Sequence, residues 1–65
     1  MTPDDLRDAR RALRATYGPL PLRRFGEMLG IKGPEPGRVA RDLLRGHAHI
    51  GPDIENRVRA LLKNT

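Results

Sequence analysis

Apolar residues return along this chain at helical intervals, in four blocks divided by proline and glycine. Leu6, Ala9 and Leu13 form one stripe that Thr16/Tyr17 continue, while Arg7, Asp8, Arg10, Arg11 and Arg14 fall elsewhere and read as a solvated charged face. This spacing predicts a helix over 3–17. Thr2 is placed to cap it, Pro3 suits its first position, and Asp5 takes the third place of a capping box. Gly18-Pro19 then ends it. A second helix is expected over 21–29, opening at Pro21, with Leu22, Phe25, Gly26 and Leu29 on one face and Arg23, Arg24 and Glu27 on the other. Gly30 and Ile31 have the order of a glycine stop followed by an apolar residue that folds back under it. Gly26 in mid-helix costs up to about 1 kcal/mol relative to alanine, so the close approach of another helix is expected there.

The run Lys32-Gly33-Pro34-Glu35-Pro36-Gly37 is too rich in Pro and Gly to be anything but a turn. A third helix is expected over 36–45, with Gly46 as its stop. At about 100° per residue, Arg38, Arg41, Asp42 and Arg45 fall within one wedge, with Val39, Ala40, Leu43 and Leu44 on the opposite side. After the loop 46–51, Pro52, Asp53 and Glu55 mark the first turn of a fourth helix over 52–63, where carboxylates favour the positive end. Ile54, Val58, Leu61 and Leu62 supply its apolar stripe, and Lys63 sits at its negative end. The expectation is an all-α fold: one domain, residues 1–65, a compact bundle of four helices.

Chemistry narrows the reading by what is missing. The 65 residues include no cysteine, which removes disulfides, thiolate zinc sites and cysteine nucleophiles together. Serine is absent as well, and hydroxyls occur only on Thr2, Thr16, Thr65 and Tyr17, none with a histidine close by in sequence to act as its base. The chain is therefore read as a non-enzyme that needs no cofactor. No apolar run approaches the roughly 20 residues of a membrane span, and no signal-peptide apolar core opens the chain, so a cytoplasmic protein is expected. The formal net charge of +5 favours a polyanionic partner, nucleic acid before membrane. Of the thirteen cations only Lys32 and Lys63 are lysines. Arginine suits bidentate contact with phosphate or guanine, although a GC-rich genome also writes arginine freely. The excess is concentrated: residues 22–49 hold six cations against three acids. Three arginines on one ridge of the third helix fit either a solvated face or one that reads a polyanion.

The remaining constellations lack the spacing of a reactive site. His47-x-His49 makes at best half a metal site, with no third ligand beside it. Asp4/Asp5 and Asp53/Glu55 stand where helix N-termini want acid. The glycines follow helices rather than strands, so no phosphate loop of known spacing exists.

One stretch carries a family likeness. Leu20-Pro21-Leu22-Arg23-Arg24-Phe25-Gly26-Glu27-Met28-Leu29-Gly30-Ile31 resembles the first half of the helix-turn-helix of Cro/lambda-repressor-like (XRE-type) DNA-binding proteins. That family has an apolar residue, a small one, an apolar one, a glycine and another apolar one, and Phe25, Gly26, Leu29, Gly30 and Ile31 fill those places. Ala40 and Leu43 match its two buried positions in the recognition helix, and Arg45-Gly46 matches its usual end. Thr2-Pro3-Asp4-Asp5-Leu6-Arg7 also resembles the opening of short phage and bacterial members, so the likeness spans about residues 2–62. Two departures stand out. Gly33-Pro34-Glu35-Pro36 lengthens the turn, and Leu22 replaces the glutamine that often contacts phosphate, leaving that role to Arg23 or to a backbone N–H.

The resemblance implies sequence-specific binding of double-stranded DNA by a small dimeric repressor or autoregulator of the kind found in phage or mobile-element operons. The third helix would read the major groove through Arg38 and Arg41 against guanine O6/N7. Asp42 would accept from cytosine N4, or orient Arg38 or Arg45. Arg23, Lys32, His47 and His49 would hold phosphates, and Arg45 a phosphate or a base. Arg57 and Arg59 are read as solvated. A homodimer on a palindromic operator, joined through the fourth helix and the C-terminal tail, completes the expectation. The alternative is a protein-interaction module on the same fold, its basic face meeting an acidic partner.

Overall fold

The computed structural model describes residues 1–64, so Thr65, the end of the tail expected at a dimer surface, lies outside the described residues. Four helices follow one another: α1 (Pro3–Tyr17), α2 (Leu22–Met28), α3 (Pro36–Arg45) and α4 (Pro52–Lys63). They match the expected all-α arrangement, with α2 one residue shorter at each end than expected, Leu29 standing at its C-terminal cap. Pro21 has ψ 154°, an extended conformation, so it stands just outside α2 rather than at its first helical position. Pro3, Pro36 and Pro52 do open their helices.

The start of α1 closes as a reciprocal cap. The Thr2 hydroxyl accepts the Asp5 N–H at 3.1 Å, and the Asp5 carboxylate accepts the Thr2 N–H at 3.0 Å. Both short helices of the central pair end alike. Past α2, the Gly30 and Ile31 N–H groups bond the carbonyls of Glu27 and Gly26, and past α3 the Gly46 and His47 N–H groups bond those of Leu43 and Asp42. Each stop places its glycine at φ 79°, where a β-carbon is strained.

Leu6, Leu13, Leu20, Phe25, Leu43 and Val58 are the largest fully buried side chains. α2 and α3 make the most extensive helix contact, and α1 packs against both α3 and α4. Their crossing is a backbone contact. A β-carbon on Gly26 would stand 2.3 Å from the Pro36 carbonyl oxygen, and one on Gly37 would stand 3.0 Å from the Arg23 nitrogen. The close approach expected at Gly26 is present, and its partner is the first residue of α3.

Several side chains lie elsewhere than the sequence pattern places them. Tyr17 is 41% exposed and Thr16 is exposed too; the next buried apolar residue is Leu20, beyond the turn. Val39 is 39% exposed, because the buried stripe of α3 is centred on Ala40, Leu43 and Leu44 and Val39 stands on its shoulder. Arg10 is half-buried instead of solvated: its guanidinium donates to the Leu20 carbonyl at 2.6 Å and lies 5.8 Å from the Phe25 ring centroid. Arg57 is exposed, yet its Nε donates to the Met28 carbonyl at 2.9 Å, tying α4 to the end of α2. Arg59 pairs with Glu55 at 3.4 Å.

Two predictions follow from these contacts. Gly26→Ala gains helix propensity but drives a methyl into the Pro36 carbonyl, so a net loss of about 1–3 kcal/mol is expected in urea unfolding. A variant as stable as the parent would mean that α3 does not cross there. The second concerns acid. Hydrogen bonds from Thr2 hold the Asp5 carboxyl below its ordinary range, and the hydrogen bond and charge of the Met1 ammonium, 2.6 Å away, do the same for Glu55. Carboxyls depressed in the folded state stabilise it above their unfolded pKa, and that contribution is lost as pH falls through the folded value. Urea midpoints are expected to drop below about pH 4 and to drop less in an Asp5→Asn/Glu55→Gln variant. An unchanged acid slope in that variant would refute the assignment.

Candidate functional site

Every side chain on the exposed ridge of α3 owes its position to the α2–α3 crossing. With Pro36 seated on Gly26 and Gly37 against the Arg23 backbone, the first turn of α3 lies beside the first turn of α2. A shallow cleft of about 620 Å³ runs between them, lined among others by Leu22, Arg23, Gly37, Arg38 and Arg41. Arg23, separated from Arg38 by a helix and a turn in sequence, thereby joins the two arginines expected to read bases. The lengthened turn contributes Pro34, Glu35 and Pro36 to the same cleft, so it forms part of the wall.

The cations here are weakly held. Arg38 lies 3.6 Å from Glu35 and Arg23 lies 3.7 Å from Glu27, with all four side chains more than half exposed. Pairs of this kind are worth about 0–1 kcal/mol and are screened by salt. Arg41 is exposed and, among the described residues, has no ion-pair partner. Three arginines against one glutamate leave the cleft electropositive. The orienting role considered for Asp42 is not present: Arg38 pairs with Glu35, and among the described residues the half-buried Asp42 carboxylate pairs with neither Arg38 nor Arg45. Leu22 is partly buried and packs against the core, leaving Arg23 and Arg24 as the exposed polar groups at the start of α2.

The remaining expected residues lie apart from this cleft. Lys32 is exposed in the turn. Arg45 is exposed in the last turn of α3, about 13.5 Å along the helix from Pro36 at 1.5 Å per residue. His47 and His49 are exposed and line a second cleft, of about 380 Å³, with Met1 and Pro3 at the start of α1. The residues assigned to phosphate thus lie apart, Arg23 near the first turn of α3, Lys32 in the turn before it, and Arg45, His47 and His49 at or beyond its last turn. Among the described residues no group of three or more His, Cys, Asp or Glu could hold a metal ion. No helix among them is long and apolar enough to cross a membrane.

One basic feature was not singled out from sequence. Arg7, Arg10, Arg11 and Arg14 surround a small cleft of about 210 Å³ on α1, where Arg7 pairs with Asp4 at 3.2 Å. Their spacing of three and four residues was the available signal, but the same spacing also describes a solvated helix face. The exposure of Val39 is the other such feature, invisible to a pattern that groups apolar residues on one side.

The sequence matches no family model, and no curated protein or solved structure matches it. The likeness to Cro/lambda-repressor-like proteins therefore rests on the residues of this chain alone.

Proposed function

We propose that this protein binds double-stranded DNA sequence-specifically, with α3 in the major groove, as a small dimeric cytoplasmic repressor or autoregulator. The observation that carries the reading is the gathering of Arg23, Arg38 and Arg41 about one open cleft at the start of α3. Weak pairs with Glu27 and Glu35 leave Arg23 and Arg38 free to exchange a carboxylate for phosphate or guanine at little cost. Arg38 and Arg41 are assigned to guanine O6/N7, and Asp42 to an adjacent cytosine N4. Arg23 and Lys32 hold phosphates on one side of the helix, and Arg45, His47 and His49 hold them on the other. Contacts at both ends of a helix fix its register along the duplex without reading sequence.

Dimerisation through α4 is supported by incomplete burial of its apolar stripe. Val58 is fully buried, whereas Ile54, Leu61 and Leu62 are only partly so. A chain with so small a core also gains stability from association.

Selection from a pool of random duplexes is expected to enrich an inverted repeat with half-sites about one helical turn apart. On the enriched duplex, log K should fall with log salt by about 0.9 for each phosphate neutralised. Absence of enrichment, with retained affinity for an acidic protein, would replace this reading with the protein-interaction one. Arg41→Ala should relax preference at one base step, worth about 1–3 kcal/mol, while Arg23→Ala should weaken all sequences alike and make the salt slope shallower. Identical behaviour of the two variants would refute the division of roles.

A further inference from the structure

Val39 is conspicuous on the surface of α3. Among the described residues the only large hydrophobics classed as exposed are Tyr17 and Val39, and Val39 stands within the helix assigned above to the major groove. On the wheel it lies about 40° from the buried Leu43 and 60° from Asp42, so it stands at the border between the core stripe and the polar ridge. The buried side of α3 is taken by Pro36, Ala40, Leu43 and Leu44. A β-branched apolar side chain is a poor match for phosphate, sugar or any hydrogen-bonding base edge. The major groove offers one apolar group among the base edges, the C5 methyl of thymine.

We propose that Val39 reads a thymine methyl in the major groove, on the flank of α3 beside Asp42, and so discriminates thymine from cytosine at one step of each half-site. The inference rests on the DNA-binding reading and adds to it a residue and a base. Its strength comes from two features together, exposure of the valine and its place on the Asp42 flank of α3. Valine neither donates nor accepts a hydrogen bond, so the selectivity comes from burying methyl against methyl.

Deoxyuridine keeps the pairing of thymine and lacks only the methyl, which makes it the direct probe. In the duplex enriched by the parent protein, each thymine is replaced in turn by deoxyuridine and binding is measured at fixed salt. One position in each half-site is expected to lose about fourfold in affinity, the equivalent of one buried methyl group at about 0.8 kcal/mol. Val39→Ala should lower affinity for the thymine duplex by a similar factor and be indifferent to uridine there, closing a double-mutant cycle with clear coupling. Circular dichroism of the variant controls for folding, which an exposed position should not disturb. Uridine tolerated at every position, or a full uridine penalty retained in Val39→Ala, would overturn the role of Val39 while leaving DNA binding intact. Failure to enrich any duplex would overturn both.

Discussion

The bare backbone of Gly26 against the Pro36 carbonyl is the contact from which the arrangement of this small protein follows. A β-carbon there would stand well inside van der Waals distance of a main-chain oxygen that cannot rotate away. Its counterpart, Gly37 against the Arg23 nitrogen, lies one residue further along α3, so the first turn of α3 meets α2 through main chain at two points. Three arginines are consequently held about one cleft despite their mutual repulsion. Solvent and the carboxylates of Glu27 and Glu35 moderate that repulsion without neutralising it.

Helices of seven and ten residues are too short to persist alone, since helix nucleation is unfavourable and each helix leaves unpaired groups at both ends. Here the same glycine-stop arrangement terminates both and pairs their last carbonyls. Two arginines then attach the outer helices to the central pair through carbonyls. Arg10 of α1 holds Leu20 just before α2, and Arg57 of α4 holds Met28 at its end. Residues that contribute to the basic character of the chain thus also serve its architecture, and bulk charge alone does not separate the two uses. Arg10 lies over Phe25 and bonds a carbonyl, whereas Arg41 faces solvent with no acidic partner among the described residues.

The proposed DNA reading takes its sense from that separation. Structural arginines are engaged by carbonyls, while those proposed to meet a ligand carry only exposed, exchangeable pairs or none. The surface of α3 combines exposed guanidinium groups, a half-buried carboxylate and an exposed valine, a mixture with more chemical variety than uniform attraction to phosphate requires. Such variety is the property that would let a helix distinguish bases.

Four helices, their proline starts, the reciprocal cap of Thr2 and Asp5 and the glycine stops were legible in the sequence. All of these are set by residues within a few positions of one another. The requirement for a close contact at Gly26 was legible too, as a propensity penalty in need of a reason. Which atoms supply that reason was not, because Pro36 reaches Gly26 only through the path of the turn between them. Apolar periodicity likewise assigned Val39 to the core and Arg10 to solvent, since it registers direction around a helix and not where a neighbouring helix ends. Burial, and with it the difference between an arginine that holds the fold and one left to meet a partner, depends on surfaces brought together from distant parts of the chain. The tertiary structure alone decided those.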